Sequence, residues 1–195
     1  MDAAIEVLRR NAGSEATMAE ILAVAGLSTR AFYRHFATKE DLICALYQRD
    51  AESFGAHLRR RVEQAGSPTD ALVIWIDEVL SLTFDRYRRE RMAAFRSPMV
   101  TRIVAGSNAQ TLGTKLVIQP LQEVLIRGRE AGVFPLTSPE LDVHTIYALT
   151  WEVVSWVRSA ESPRLGRRDA LAHVLRFTLP ALGASLPQAC STKNS

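Results

Sequence analysis

The chain has 195 residues, 47% of them apolar and 23% charged, a globular balance that excludes a disordered or low-complexity protein. Its net charge of +3, from 24 basic and 21 acidic residues, is too small to argue for nucleic acid by bulk electrostatics. No apolar run reaches the roughly 18 residues of a membrane span. The N-terminal MDAAIEVLRRN lacks the apolar stretch of a signal peptide. The expectation is a cytoplasmic protein with no membrane partner. Cys44 and Cys190 form neither a CxxC nor a Cys/His metal spacing, so they read as free thiols.

Periodicity of 3.6 residues, broken by Gly, Pro and Ser, predicts helices throughout and no sheet. A first helix over 3–12 carries Ile5, Leu8 and Ala12 on one face, with Gly13 after its end. Thr17-Met18-Ala19-Glu20 has capping-box spacing and opens a helix to Ala25. Gly26 supplies a tight turn and Ser28 caps a third helix over 29–35. Thr38 opens a fourth, with Glu40 and Asp41 in its first turn, which continues through Leu42, Leu46 and Phe54 to Gln64.

Ser67-Pro68 then opens a helix over 69–87. Its ALVIWI run is apolar nearly all round, as expected of a helix at the centre of a bundle. Ser97-Pro98 opens a short helix, a long one runs from about Thr111 to Gly132, Ser138-Pro139 opens another, and a last one spans 167–182. The predicted fold class is all-α, about nine helices: a three-helix module followed by a larger helical body. The boundary falls inside the fourth helix, giving 1–48 and 49–195, with no Gly/Ser or Pro linker between them.

The segment TMAEILAVAGLSTRAFYRHF is two short helices joined by Ala-Gly-Leu-Ser. Ile21, Ala25, Leu27, Phe32 and Phe36 are spaced to share a small core. Thr29, Arg30, Ala31, Tyr33, Arg34 and His35 remain around the outside of the second helix. A helix-turn-helix places such a helix in the major groove, its N-terminal residues on base edges. A helical hairpin inside a bundle has the same spacing. Residues 1–50 carry six Arg/Lys against seven Asp/Glu, so DNA binding here depends on placed residues and helix ends rather than on a basic field.

The stretch AGLSTRAFYRHFATKEDL resembles the signature of the tetracycline-repressor family of bacterial regulators. GREAGVFPLTSPELDVHTIYAL is similar to that family's junction between its seventh and eighth helices, and the nine-helix plan agrees. Residues 50–120 resemble the family only in helix lengths. The resemblance implies a DNA-binding transcriptional regulator, usually a repressor, that needs no cofactor. It puts Thr29, Arg30 and Ala31 nearest the bases, with Arg30 making a bidentate contact to guanine. Tyr33 and Lys39 match positions that hold phosphates, backbone N–H groups at Thr17 and Ser28 do the same at helix N-termini, and His35 matches a phosphate or base contact.

Three departures follow. The family often has Gly at the position of Arg30, and usually Ala at that of Leu22. It also commonly carries a basic arm and an extra helical turn before the position of Ala3. The expectation is either weaker DNA binding or a start farther upstream.

The last two long helices are apolar on more than one face, which calls for a partner: a homodimer packed as a four-helix bundle, with Trp151, Val154, Trp156, Leu171, Leu175 and Leu179 on the seam or its inner side. A purely intramolecular core is the alternative. Two copies would read a palindromic operator in double-stranded DNA. The resemblance also implies a small-molecule pocket among the fourth to eighth helices. Phe54, Leu58, Trp75, Val79, Phe84 and Phe95 are candidates to line it, as are Met99, Leu121, Leu125, Tyr147 and Trp151; core packing is the simpler reading of each. The aromatic content favours an apolar or aromatic effector. Arg86, Arg88, Arg89, Arg91 and Arg96 read as a solvated helix C-terminus before a second anion site. Histidines 35, 57, 144 and 173 are scattered, and there is no phosphate loop, GxSxG or HExxH, so no enzyme is expected. The rival function is a helical ligand-binding or protein-interaction module that has lost DNA binding.

Overall fold

A computed structural model describes Ile5, Val7 and residues 17–26, 28–158 and 165–185. Among these residues there is no strand, and nine helices have defined bounds. They are α1 (Met18–Ala25), α2 (Thr29–Tyr33), α3 (Lys39–Glu63), α4 (Pro68–Phe84), α5 (Arg86–Ala94), α6 (Pro98–Val104), α7 (Asn108–Glu130), α8 (Pro139–Val157) and α9 (Arg167–Ala181). Ile5 and Val7 are also helical; the rest of the helix expected over 3–12 lies outside the described residues, as do Leu27 and Cys190.

Local chemistry sets most helix starts. Thr17, Ser28, Ser67 and Ser97 each accept a backbone N–H from the third residue on, which satisfies one of the orphan donors of the first turn. Thr38 and Asp41 exchange two such bonds, at 2.9 and 3.1 Å, before α3. Two boundaries differ from the sequence reading. The helix expected over 69–87 stops at Phe84, because Asp85 is extended (φ −74°, ψ 128°), and a separate helix, α5, follows. No Gly or Pro marks this break; it falls where the buried surface of α4 gives way to DRYRRER. The long helix starts at Asn108 rather than near Thr111, since Ser107 accepts the Gln110 N–H and Gln110 Oε1 accepts that of Gly106.

The described chain forms two compact units, residues 1–55 with 86–116 and residues 56–85 with 117–195, so α3 and α7 each contribute to both. In the first, Ile21, Leu22, Phe32, Leu42, Ile43 and Leu46 share one apolar cluster with Ala94, Phe95, Met99, Val100 and Val104. In the second, α4 is the central helix, as its apolar run predicts, and packs on both α8 and α9. Its buried Trp75 donates its indole N–H to Val117 O (2.9 Å), and its buried Glu78 accepts from His57 Nε2 (3.0 Å) and Arg61 Nε (3.1 Å). Arg167, opening α9, forks onto Asp77 with bonds of 2.7 and 2.6 Å, a bidentate pair that fixes α9 against α4.

The resemblance noted at GREAGVFPL has a packing reason. Val133 and Phe134 both donate their N–H groups to Gly128 O (2.8 and 3.0 Å), folding the chain back so that the buried Phe134 ring lies on Gly128. A Cβ on Gly128 would overlap that ring. Gly128→Ala should therefore cost about 1–3 kcal/mol by overpacking. Thermal unfolding checks this: an unchanged Tm would mean that Phe134 does not sit there.

Candidate nucleic-acid interface

The turn between α1 and α2 depends on Gly26, whose φ of 63° lies in the left-handed region; its N–H returns to Ala23 O (3.3 Å). Space is no obstacle there, since a Cβ would meet nothing within 4 Å, so backbone conformation alone selects glycine. Ser28 then caps α2 through the Ala31 N–H (3.2 Å). Ile21, Leu22 and Phe32 are buried, and the Phe32 and Phe36 rings lie 5.6 Å apart. The side chains of Ala25 and Leu27, expected in the same core, lie outside the described ones. Leu22, where a smaller residue was expected, is accommodated in the shared apolar cluster.

That packing leaves the candidate DNA contacts outside. Thr17, Ser28, Thr29, Arg30, Tyr33, Arg34 and His35 are exposed, Tyr33 by 60%, and Ala31 is half-buried. The second helix is shorter than the expected 29–35. It ends at Tyr33, with Arg34 as its C-cap and His35 in the turn beyond, where its N–H bonds Phe32 O (2.9 Å). Thr17 differs from the resemblance in one respect: its backbone N–H is already held by Glu20 Oε2 at 2.8 Å, so a phosphate there would compete with a carboxylate.

Lys39, the first residue of α3, is half-buried, and its Nζ donates to Met99 Sδ at 3.5 Å. A contact across 60 residues leaves no local trace in the sequence, and it places α6 beside a candidate phosphate contact. Phe95 and Tyr47 meet edge to face nearby, 5.6 Å between centroids.

Three arginines of α5 are engaged within the chain. Arg86 pairs with Glu90 (3.0 Å), Arg88 lies over the Phe54 ring (5.7 Å), and Arg91 pairs with Asp50. Burial disfavours the Arg91 charge, but the hydrogen bond and the charge of Asp50 outweigh it and its pKa is raised. Arg96 caps the end of α5 through Met92 O and Arg89 O (both 3.3 Å), and its pKa is lowered, first by burial and then by Arg89.

The candidate effector residues divide between the units. Phe54, Phe95 and Met99 belong to the first, and Phe95 and Met99 lie in the cluster under α1 and α2. Leu58, Trp75, Val79, Leu121 and Leu125 are fully buried in the second, while Phe84, Tyr147 and Trp151 are half-buried there. A groove of about 280 Å³ in that unit is lined by other residues, Arg59, Val62, Glu63, Pro120, Glu123, Ile126 and Arg127. Of the proposed seam, Val154, Leu175 and Leu179 are buried in the chain's own core; Trp156 is 45% exposed and Phe177, not anticipated, 53%.

Residues 1–46 match the family of bacterial regulatory proteins described as the tetR family. The similarity to that family is confined to this N-terminal module. Over about nine-tenths of its length the chain shares the fold of several solved structures. The chain is similar to the transcriptional regulator FadR from Bacillus subtilis in complex with stearoyl-CoA (TM-score 0.69, 19% identity, 92% of this chain and 96% of that one). It is similar to the fatty acid degradation regulator FadR from Bacillus halodurans (0.72, 22%, 91% of each). It is also similar to AibR in complex with isovaleryl coenzyme A and operator DNA (0.66, 14%, 91% and 95%). No curated protein matches the sequence. Among the described residues no helix is long and apolar enough to cross a membrane, and no set of three or more His, Cys, Asp or Glu side chains is placed to hold a metal.

A tetR-type module whose core includes Phe95 should respond to that residue from a distance in sequence. Phe95→Ala is expected to cost about 3–5 kcal/mol and to speed amide hydrogen exchange in α1 and α2. Unaltered exchange in those helices would separate the two.

Proposed function

We propose that this chain is a sequence-specific DNA-binding transcriptional regulator, a repressor that binds a palindromic operator as a homodimer and is released by a small apolar or aromatic ligand. The observation that carries it is the division of the tetR-type helices: apolar side chains buried on one side, and Thr29, Arg30, Tyr33, Arg34 and His35 exposed on the other. In this reading Thr29, Arg30 and Ala31 meet bases, Arg30 by a bidentate contact to guanine. Thr17, Ser28, Tyr33, Arg34, His35 and Lys39 hold the backbone. Residues 1–48 read DNA, and 49–195 bind the effector and dimerise. The exposed Trp156 and Phe177 are large apolar groups on α8 and α9, which suit a two-fold interface. The relatives in complex with stearoyl-CoA and isovaleryl coenzyme A make an acyl thioester the first effector class to test. These roles involve no catalysis and accord with a cytoplasmic location.

A second reading, a ligand-binding or interaction module without DNA binding, is favoured by the excess of acidic over basic residues in 1–50 and by the Glu20 carboxylate on the Thr17 N–H. Selecting bound sequences from random duplexes at low salt separates the two. The regulator should enrich a palindrome with half-sites about one helical turn apart. Arg30→Ala should flatten one position per half-site, a loss of about 1–3 kcal/mol. No enrichment at all selects the second reading, and an unchanged preference in the variant removes Arg30 from base readout.

A further inference from the structure

Three buried side-chain atoms in the second unit have no hydrogen-bond partner among the described residues: the Thr83 hydroxyl on α4, the Trp151 indole N–H on α8, and Nη1 of Arg158, whose side chain has other interactions. The two helices pack on each other. Equivalent groups elsewhere in this unit are satisfied. The indole N–H of Trp75 donates to Val117 O at 2.9 Å. The helical Thr150 and Thr178 each donate to the carbonyl four residues back at 2.8 Å. Thr83, at 4% exposure, makes no such bond.

An indole N–H is a donor only, so it cannot be satisfied by turning around. Leaving it buried and unmet carries the desolvation cost of the group, and native structures keep such groups rarely. The half-buried ring of Tyr147, one turn earlier on α8, meets the Trp151 ring edge to face at 6.0 Å between centroids. A donor without an acceptor next to aromatic surface is the arrangement of an orienting group in an apolar ligand site.

We propose that the Trp151 N–H is the polar anchor of the effector site, and that the effector presents there an apolar chain carrying a carbonyl oxygen that accepts this bond. The Thr83 hydroxyl is a second polar group available on the helix that packs against α8. This rests on the ligand-responsive reading above and deepens it. It makes the site selective for chemistry rather than for bulk: a chain of equal length without the oxygen leaves the donor unmet.

The test uses the full-length chain with the Trp151 indole N–H replaced by sulfur (the isosteric 3-benzothienylalanine), which keeps the ring and removes the donor. The probes are decanoyl-CoA and its thioether counterpart decyl-CoA, which lacks only the carbonyl oxygen. Binding is followed by thermal shift of the free protein, without DNA. The natural chain should bind the thioester about tenfold more tightly than the thioether. The sulfur analogue should lose that tenfold preference, bind the thioether as before, and unfold at a temperature no lower than the natural chain.

Three results would overturn the inference. One is a Tm several degrees lower in the analogue, which would show an internal acceptor. Another is a thioester preference that survives the replacement, and the third is a natural chain that binds neither probe. In each case the operator selection still decides separately whether the chain is a DNA-binding regulator.

Discussion

Ile21, Leu22 and Phe32 turn inward from two helices that are too short to stand alone. Isolated helices under about 12–15 residues are marginal in water, and α1 and α2 have 8 and 5. Their persistence depends on what those side chains meet. They meet Leu42, Ile43 and Leu46 from α3, and also Phe95, Met99, Val100 and Val104 from the segment that includes α6. Helices α1 and α2 are therefore seated on a core that residues 1–48 supply only in part. The placement of Arg30 and Tyr33 outside follows from the placement of Phe32 inside.

This shared core makes the placement of α1 and α2 depend on Phe95 and on α6. A disturbance of Phe95 or Met99 would press directly on the packing beneath α1 and α2, and the Lys39–Met99 contact would carry it to a candidate phosphate contact. The magnitudes constrain the ligand. Moving a two-state equilibrium from about 1:99 to 99:1 takes ~5.5 kcal/mol of differential affinity, and one neutral hydrogen bond supplies about 0.5–1.5. The remainder corresponds to roughly 160–200 Å² of apolar surface at about 25 cal/mol per Å². A mostly apolar effector with one oriented polar group meets that requirement; a small polar metabolite does not.

Much of this architecture was legible in the sequence because local signals were honoured locally. The capping box at Thr17, the turn glycine at position 26, the Ser-Pro starts at 67, 97 and 138 and the apolar run of α4 each appear where the residues put them. The exposed set on α2 was legible for the same reason: with Phe32 fixed as core, its neighbours have nowhere else to point. What escaped was set by distant partners. The break at Asp85 carries no Gly or Pro. The partner of Lys39 is 60 residues away. Whether Val154, Leu175 and Leu179 face a second subunit or their own core is invisible to periodicity, which reports an apolar face and not what covers it. The effector candidates suffered the same ambiguity, since a buried Leu58 or Trp75 looks alike in a pocket wall and in a packed core. The unmet donor at Trp151 arises only when the helices are packed.

The helix-turn-helix is held by α5–α6 residues as well as by its own. Residues 1–48 expressed alone test it most directly, compared with the full chain by the dispersion of backbone amide signals in NMR and by operator binding. The account predicts a collapsed, unfolded spectrum and no specific binding from the fragment. A fragment that folds cooperatively, with the amide pattern of α1 and α2 it shows in the full chain, would contradict it.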